Sequence, residues 1–200
     1  MKYKELIYLL YSDLYRTTGK KSTIHLFKNA FFGKAFKYNF WLRICSYTRK
    51  HHILKFLIFP FFRLILRKYV FKFGISISQN VKIGSGLFIS HFGGIIVNPN
   101  CVIGKNLNIS PGVTLGQVNR GKKKGSPIIG DNVYIATGAK IIGAIKIGNN
   151  VAIGANCVVT KDIPDNAVVV GVPGKVISYE GSKGYVNNTD YDSFLTNPRF

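Results

Sequence analysis

Side chains suited to moving protons near neutral pH are scarce in this chain, which has four histidines and three cysteines in 200 residues. His25, His51 and His52 lie in a basic, aromatic-rich stretch and read as incidental polar positions. His91 differs. It sits in the segment ISHFGG, two residues after Ile89, in a repeat whose inward positions are filled by aliphatics. That offset turns its imidazole outward, beside two glycines that permit unusual backbone angles. An imidazole, with a pKa ordinarily near 6.5, can take up or give a proton near neutral pH, so the residue is a candidate for a catalytic role. A lone histidine is more often structural, and the repeat is what favours the catalytic reading here. Three cysteines cannot complete a disulfide set; Cys101 and Cys157 both occupy small inward positions of the repeat and read as structural thiols in a reducing compartment. No metal site is expected. A second group, Arg120, Lys122, Lys123 and Lys124, is either a phosphate-contacting loop or a solvated charge run.

The elements that must hold these residues follow from a period of six. Ile129, Ile135, Ile141, Ile147, Ile153 and Val159 recur at every sixth position, with Val133, Ala139, Ile145, Val151 and Cys157 four residues after each of the first five. Neither a helix nor a single strand has this period; a solenoid of stacked three-strand coils does. Upstream, Ile77, Ile83, Ile89 and Ile95 keep the period, and Val97, Ile103, Ile109 and Leu115 continue it after a slip of two residues. The slip falls between His91 and Ile96. A second break separates Leu115 from Ile129, and its content, GQVNRGKKKGSP, reads as an extruded loop. Two interruptions in an otherwise regular array mark the places where function is expected.

Charge divides the chain. Residues 1–73 carry 16 Lys or Arg against Glu5 and Asp13, and residues 74–200 carry 12 against 6, for a formal net charge of +20. The basic segment is also rich in phenylalanine and has helical spacing over 2–18, from Ser22 towards Lys50, and over 53–73, with Pro60 kinking or dividing the last stretch. Two readings stay open for it: helices that pack in an oligomer, or an apolar face flanked by cations that lies on an anionic membrane surface. The most apolar run, Ile53 to Leu66, is interrupted by Lys55, Pro60 and Arg63 and is too short to span a bilayer. No signal peptide is expected, nucleic acid is not an expected partner, and the protein is placed in the cytoplasm, either free or peripheral on the inner membrane face. The organisation read from these features is a helical segment over 1–73, a solenoid over 74–177 and a polar, poorly ordered tail over 178–200.

The segments VKIGSGLFISHFGGIIV, CVIGKNLNISPGVTLG, IIGDNVYIATGAKIIGAIKIG and VAIGANCVVTKDIPDNAVVVGVPGKVI resemble the left-handed β-helix hexapeptide-repeat acyltransferases, and most closely their serine acetyltransferase branch. The resemblance implies a mainly-β left-handed parallel β-helix with an N-terminal α-helical segment. It further implies a homotrimer with active sites between subunits, acetyl-CoA as acyl donor, and His91 as general base. It places Ala136 and Gly154 along the thiol-bearing arm of CoA, Thr160 and Lys161 at the pantetheine and nucleotide end, and Lys175 near the phosphates. Ser90, Asn98 and Ser126 are the candidate acceptor contacts. Against the serine acetyltransferase pattern, Ser90 and Ser76 replace acidic residues, and Gly125 and Ser126 replace an Arg-His pair. These departures favour a sugar hydroxyl of a capsular or exopolysaccharide, or of its lipid-linked precursor, as acceptor. The alternatives are serine as acceptor, and a non-catalytic trimeric scaffold in glycan assembly.

Overall fold

A computed structural model describes residues 2–33 and 35–195. Five helices come first: α1 (Tyr3–Thr18), α2 (Thr23–Phe32), α3 (Ala35–Lys50), α4 (His52–Leu57) and α5 (Phe59–Phe73). Gly19 and Gly74 end α1 and α5 in the left-handed conformation, at φ 66° and 61°, where a side chain would be strained. Pro60 lies in the first turn of α5, where its missing N–H costs nothing, and so separates α5 from α4. The helical stretch expected to run from Ser22 towards Lys50 is broken at Gly33.

The chain then winds into five coils. The first contains β1 (Ile75–Ile77), β2 (Lys82–Ile83) and β3 (Phe88–Ile89), and the second β4 (Ile95–Val97), β5 (Val102–Ile103) and β6 (Asn108–Ile109). The third contains β7 (Thr114–Gly116), β8 (Ile128–Ile129) and β9 (Tyr134–Ile135), and the fourth β10 (Lys140–Ile142), β11 (Lys146–Ile147) and β12 (Ala152–Ile153). The fifth runs from β13 (Val158–Val159) to β14 (Val168–Val170), and β15 (Lys175–Ser178) folds back antiparallel on β14. Each strand pairs in parallel with its counterpart one coil away, producing three sheets: β1-β4-β7-β10-β13, β2-β5-β8-β11 and β3-β6-β9-β12-β14. These form the first, second and third faces of a prism. The aliphatics of the sixfold series and their companions are buried together as one core, except Ile83, which is half-buried against it.

A parallel β-solenoid is therefore the architecture that the period predicts. The slip lies where Ile95 pairs with Ile75 instead of continuing from Ile77, which leaves a two-residue insertion at the edge between the third and first faces. The loop at the second break forms a small hairpin closed by Val118 and Gly125. A third irregularity escaped the reading of the sequence: Ile163 bridges Ile147 only sixteen residues away, so the last coil is two residues short.

Two long-range features complete the fold. The first coil would expose a row of unpaired backbone groups, a liability in any solenoid. The helices cover it. Arg43 donates to the carbonyls of Ile83 and Gly84 at 2.9 and 2.7 Å, Asn39 to Leu87 at 2.9 Å and Ser46 to Gln79 at 3.0 Å. Tyr38 both accepts from the Ile77 amide and donates to its carbonyl. Asp13 accepts the Leu87 amide at 2.7 Å and is paired with Arg43 at 2.9 Å, both side chains being nearly inaccessible. Burial pushes the Asp13 carboxyl above its usual range, against the pull of Arg43.

Residues 178–195 correct the expectation of a loosely held tail. They climb back along the edge between the second and third faces, where Asn106, Asn132, Asn150 and Asn166 stand in the left-handed conformation and bond side chain to side chain at 2.8, 2.9 and 3.1 Å. Ser182 joins this ladder through the Asn132 and Asn150 carbonyls, and Tyr185 stacks on Tyr134 with ring centroids 4.5 Å apart. Tyr191 is buried, its hydroxyl 2.6 Å from Asn106 Oδ1 and 3.0 Å from Ser85 Oγ. Gly86 leaves the space for it: a Cβ there would lie 2.7 Å from that hydroxyl. A short helix, α6 (Asp192–Leu195), then reaches α1, where Tyr8 bonds Asp192. Residues 196–200 lie outside the described residues.

Candidate active site

His91 follows β3 at the two-residue insertion, and its side chain is exposed as the register predicts. Nδ1 lies 3.2 Å from the Phe92 carbonyl oxygen. A carbonyl only accepts, so this contact calls for the hydrogen on Nδ1, and in the neutral ring that leaves the lone pair on Nε2, the tautomer a general base requires. The ring rests against Phe92, centroid to centroid 4.5 Å, and Phe92 packs on Phe73 at the end of α5 at 5.4 Å. The imidazole is thus braced by the helical segment as well as by the solenoid. It opens onto a pocket of about 260 Å³ that includes Thr17 of α1, Asn29 of α2, and Ala35 and Phe36 of α3. None of the pocket residues carries a carboxylate or a fixed positive charge. The contribution of three helices to this pocket left no signal in the sequence, since nothing local marks Thr17 or Asn29.

Below His91 the edge between the third and first faces carries a column of small residues. The parallel register of β3, β6, β9, β12 and β14 places Ser90, Ser110, Ala136, Gly154 and Val170 directly above one another. Ser90 Oγ lies 3.3 Å from Ser110 Oγ. With coils about 4.8 Å apart, the column is about 19 Å long. Lys175 pairs with Val170 at its far end and is exposed. Ser90, His91, Ala136, Gly154 and Lys175 are therefore brought to one edge. A column of short side chains ending at an exposed lysine suits an extended chain that terminates in phosphates. Gly154 also has a reason inside the fold, because a Cβ there would approach Val170 Cγ1 to 2.8 Å.

The remaining candidates lie elsewhere. Asn98 follows β4 and Ser126 closes the extruded loop; the two meet through a 3.0 Å hydrogen bond at the edge between the first and second faces. Thr160 and Lys161 follow β13 and are exposed on that same edge. The loop lies down along it, held by the Lys123 carbonyl, which accepts the Ala144 amide at 2.9 Å, and by the Lys123–Asp162 ion pair at 3.2 Å. The Lys146 amide and Lys123 hold the Asp162 carboxyl below its usual range. Within one chain, then, the proposed acceptor and donor contacts are split between two edges of the prism. A larger hollow of about 820 Å³, between α5 and the first coil, includes Ser76, Arg63 and Arg67 but not His91.

The chain is thus a prism of hexapeptide coils with an exposed imidazole at an insertion and a column of small residues beneath it. Residues 126–161 match the family model for the bacterial transferase hexapeptide (six repeats). It is 43% identical over 140 residues to a serine acetyltransferase of Staphylococcus epidermidis, a match that covers 70% of this chain and 66% of that protein. It spans just under two thirds of that relative's length. Among solved structures it is similar to the Neisseria gonorrhoeae serine acetyltransferase in complex with serine, with a TM-score of 0.72, 28% identity, and coverage of 88% of this chain and 70% of that one. It is also similar to the Brucella abortus serine acetyltransferase in complex with coenzyme A, with a TM-score of 0.70, 28% identity, and coverage of 88% and 68%. These findings overturn the expectation of a capsular or exopolysaccharide acceptor. The relative and the two structural neighbours named above are serine acetyltransferases, despite the replaced residues at Ser76, Ser90, Gly125 and Ser126. No described helix is long and apolar enough to cross a membrane.

Proposed function

We propose that this chain transfers an acetyl group from acetyl-CoA to the hydroxyl of serine, with His91 as general base. The observation that carries the reading is the imidazole at the head of the small-residue column, with Nδ1 tied to a carbonyl and Nε2 free. The serine acetyltransferase relatives, and the neighbours bound to serine and to coenzyme A, support the choice of acceptor and donor. Acetyl-CoA supplies the acyl group on a thioester. His91 Nε2 takes the hydroxyl proton as the serine oxygen forms its bond to the thioester carbon. The resulting imidazolium returns the proton to the departing sulfur as the carbon–sulfur bond breaks, so the enzyme is regenerated. Ala136 and Gly154 border the arm of the donor, and Lys175 faces its phosphates.

Three copies around a common axis would lay the edge bearing His91 against the next copy's edge bearing Asn98, Ser126, Thr160 and Lys161, reuniting groups that one chain keeps apart. A homotrimer is therefore part of the proposal. The test is thiol release from acetyl-CoA in the presence of serine, followed by identification of O-acetylserine. His91→Ala is expected to lower the rate about a thousandfold while leaving CoA affinity unchanged. Parental rates in that variant would remove His91 from the mechanism, and failure to bind CoA at all would point instead to a non-catalytic scaffold.

A further inference from the structure

Among the described residues, the helical segment leaves one face without a partner. On α5, Pro60, Leu64 and Phe71 are spaced four and seven residues apart and so form one outward stripe. Leu64 and Phe71 are 64% and 73% exposed, and Phe61 beside them is 62% exposed. Helical geometry puts Arg63 and Arg67 along one border of this stripe and Lys68 and Lys72 along the other, and all four are exposed. The Arg67 guanidinium lies over the Phe71 ring at 5.7 Å. On α4, Ile53, Phe56 and Leu57 are exposed, with Lys55 over Phe56 at 5.6 Å. Beneath this face half-buried rings join α5 to α2: Phe61 to Phe62 at 5.7 Å, Phe62 to Trp41 at 5.7 Å, and Trp41 to Phe31 at 6.4 Å. Phe31 belongs to a second exposed stripe with Ile24 and Phe27. Contiguous apolar surface of this kind is rarely left open to water.

Charge decides what covers it. Residues 19–73 contain 13 Lys or Arg and no Asp or Glu. The two acidic residues before them are engaged elsewhere: Asp13 is buried against Arg43, and Glu5 accepts the Lys2 amide on α1. A second copy of this chain would bring the same cationic surface with no carboxylate to meet it, and like charges across an interface oppose association. A nucleic acid would satisfy the cations but leave the central stripe in water. An anionic bilayer satisfies both: phosphates meet the Arg and Lys borders, and the rings and Leu64 enter the boundary between headgroups and acyl chains.

We propose that the face formed by α2, α4 and α5 docks the protein on an anionic phospholipid surface, with α5 lying in the plane of the interface. The inference concerns a surface apart from the His91 edge and does not depend on the acceptor. The experiment is flotation of the full-length protein with vesicles of phosphatidylcholine containing phosphatidylglycerol, and with phosphatidylcholine alone. Two variants accompany it: Phe61→Ser/Leu64→Ser/Phe71→Ser and Lys68→Gln/Lys72→Gln. All altered positions are exposed, and unchanged melting temperatures verify the fold. The parent is expected to float only with the anionic vesicles, and less as salt is raised. The lysine variant is expected to lose about 25-fold in partitioning, at about fivefold per cation, and the apolar variant to stop floating. No flotation of the parent, or equal flotation with neutral vesicles, overturns the proposal. So does an apolar variant that floats normally but shows a smaller mass by light scattering, because the face would then join copies of this chain. Duplex DNA binding that survives the apolar substitutions, without flotation, overturns it equally.

Discussion

Arg43→Met isolates the cap on the first coil. The native guanidinium makes two bonds to Asp13, at 2.9 and 3.1 Å, and two to the Ile83 and Gly84 carbonyls, at 2.9 and 2.7 Å. Methionine keeps much of the stem volume but leaves the buried Asp13 carboxylate without its paired guanidinium and both carbonyls without a donor. Removing one partner of a buried pair costs roughly 3–5 kcal/mol, and an unsatisfied buried carbonyl about 1–3 kcal/mol. These penalties overlap because the carboxylate can protonate and water can enter, so about 4 kcal/mol is the reasoned total. In a solenoid the loss is local, since each coil is held mainly by its neighbours. The assay is therefore native-state hydrogen exchange read at the Leu87 amide, which Asp13 accepts at 2.7 Å. A cost of about 4 kcal/mol corresponds to about a thousandfold faster exchange there. Amides of the fourth coil should be nearly unaffected. Adding Asp13→Asn to Arg43→Met should recover about 1–2 kcal/mol, because Asn removes the buried charge while its Oδ1 still accepts the Leu87 amide. Acceleration below about tenfold, or a double variant worse than the single by the full cost of Asp13→Asn, would refute the reasoning. Because His91 follows the same coil, the acetyl transfer proposed above should weaken with the exchange protection.

Two further outcomes follow from the site and the core. Ser90→Asp places a carboxylate beside His91, in a neighbourhood without one, and is expected to lower the serine KM severalfold with less change in kcat; an unchanged KM would detach this position from acceptor binding. Cys45, Cys101 and Cys157 are all buried, and burial pushes the first two thiols up to about 12 and about 11. With so little thiolate, alkylation of the native protein by iodoacetamide should be slow at all three and rapid only in denaturant; fast native labelling of any one by mass spectrometry would contradict the buried placement.

The same physical distinction separates what the chain disclosed locally from what needed three dimensions. A stacked coil repeats its environment at a fixed interval, so the buried series from Ile77 to Val159, its two interruptions and the outward turn of His91 were legible in one dimension. The two-residue shortening before Ile163 was not, because Pro164, Asp165 and Asn166 read as ordinary turn residues. Contacts without a period left no trace either. Asp13 meets Arg43 from thirty residues away, and Asn39 reaches Leu87 from forty-eight. Tyr191 returns to Asn106 across eighty-five residues, so a polar-looking tail shows no sign of this anchor in its own sequence. Nor could the spacing of Asn98, Ser126, Thr160 and Lys161 show that they occupy a different edge from His91. Which edge a residue reaches depends on insertions accumulated along the winding, while the repeat alone records only whether its side chain points in or out.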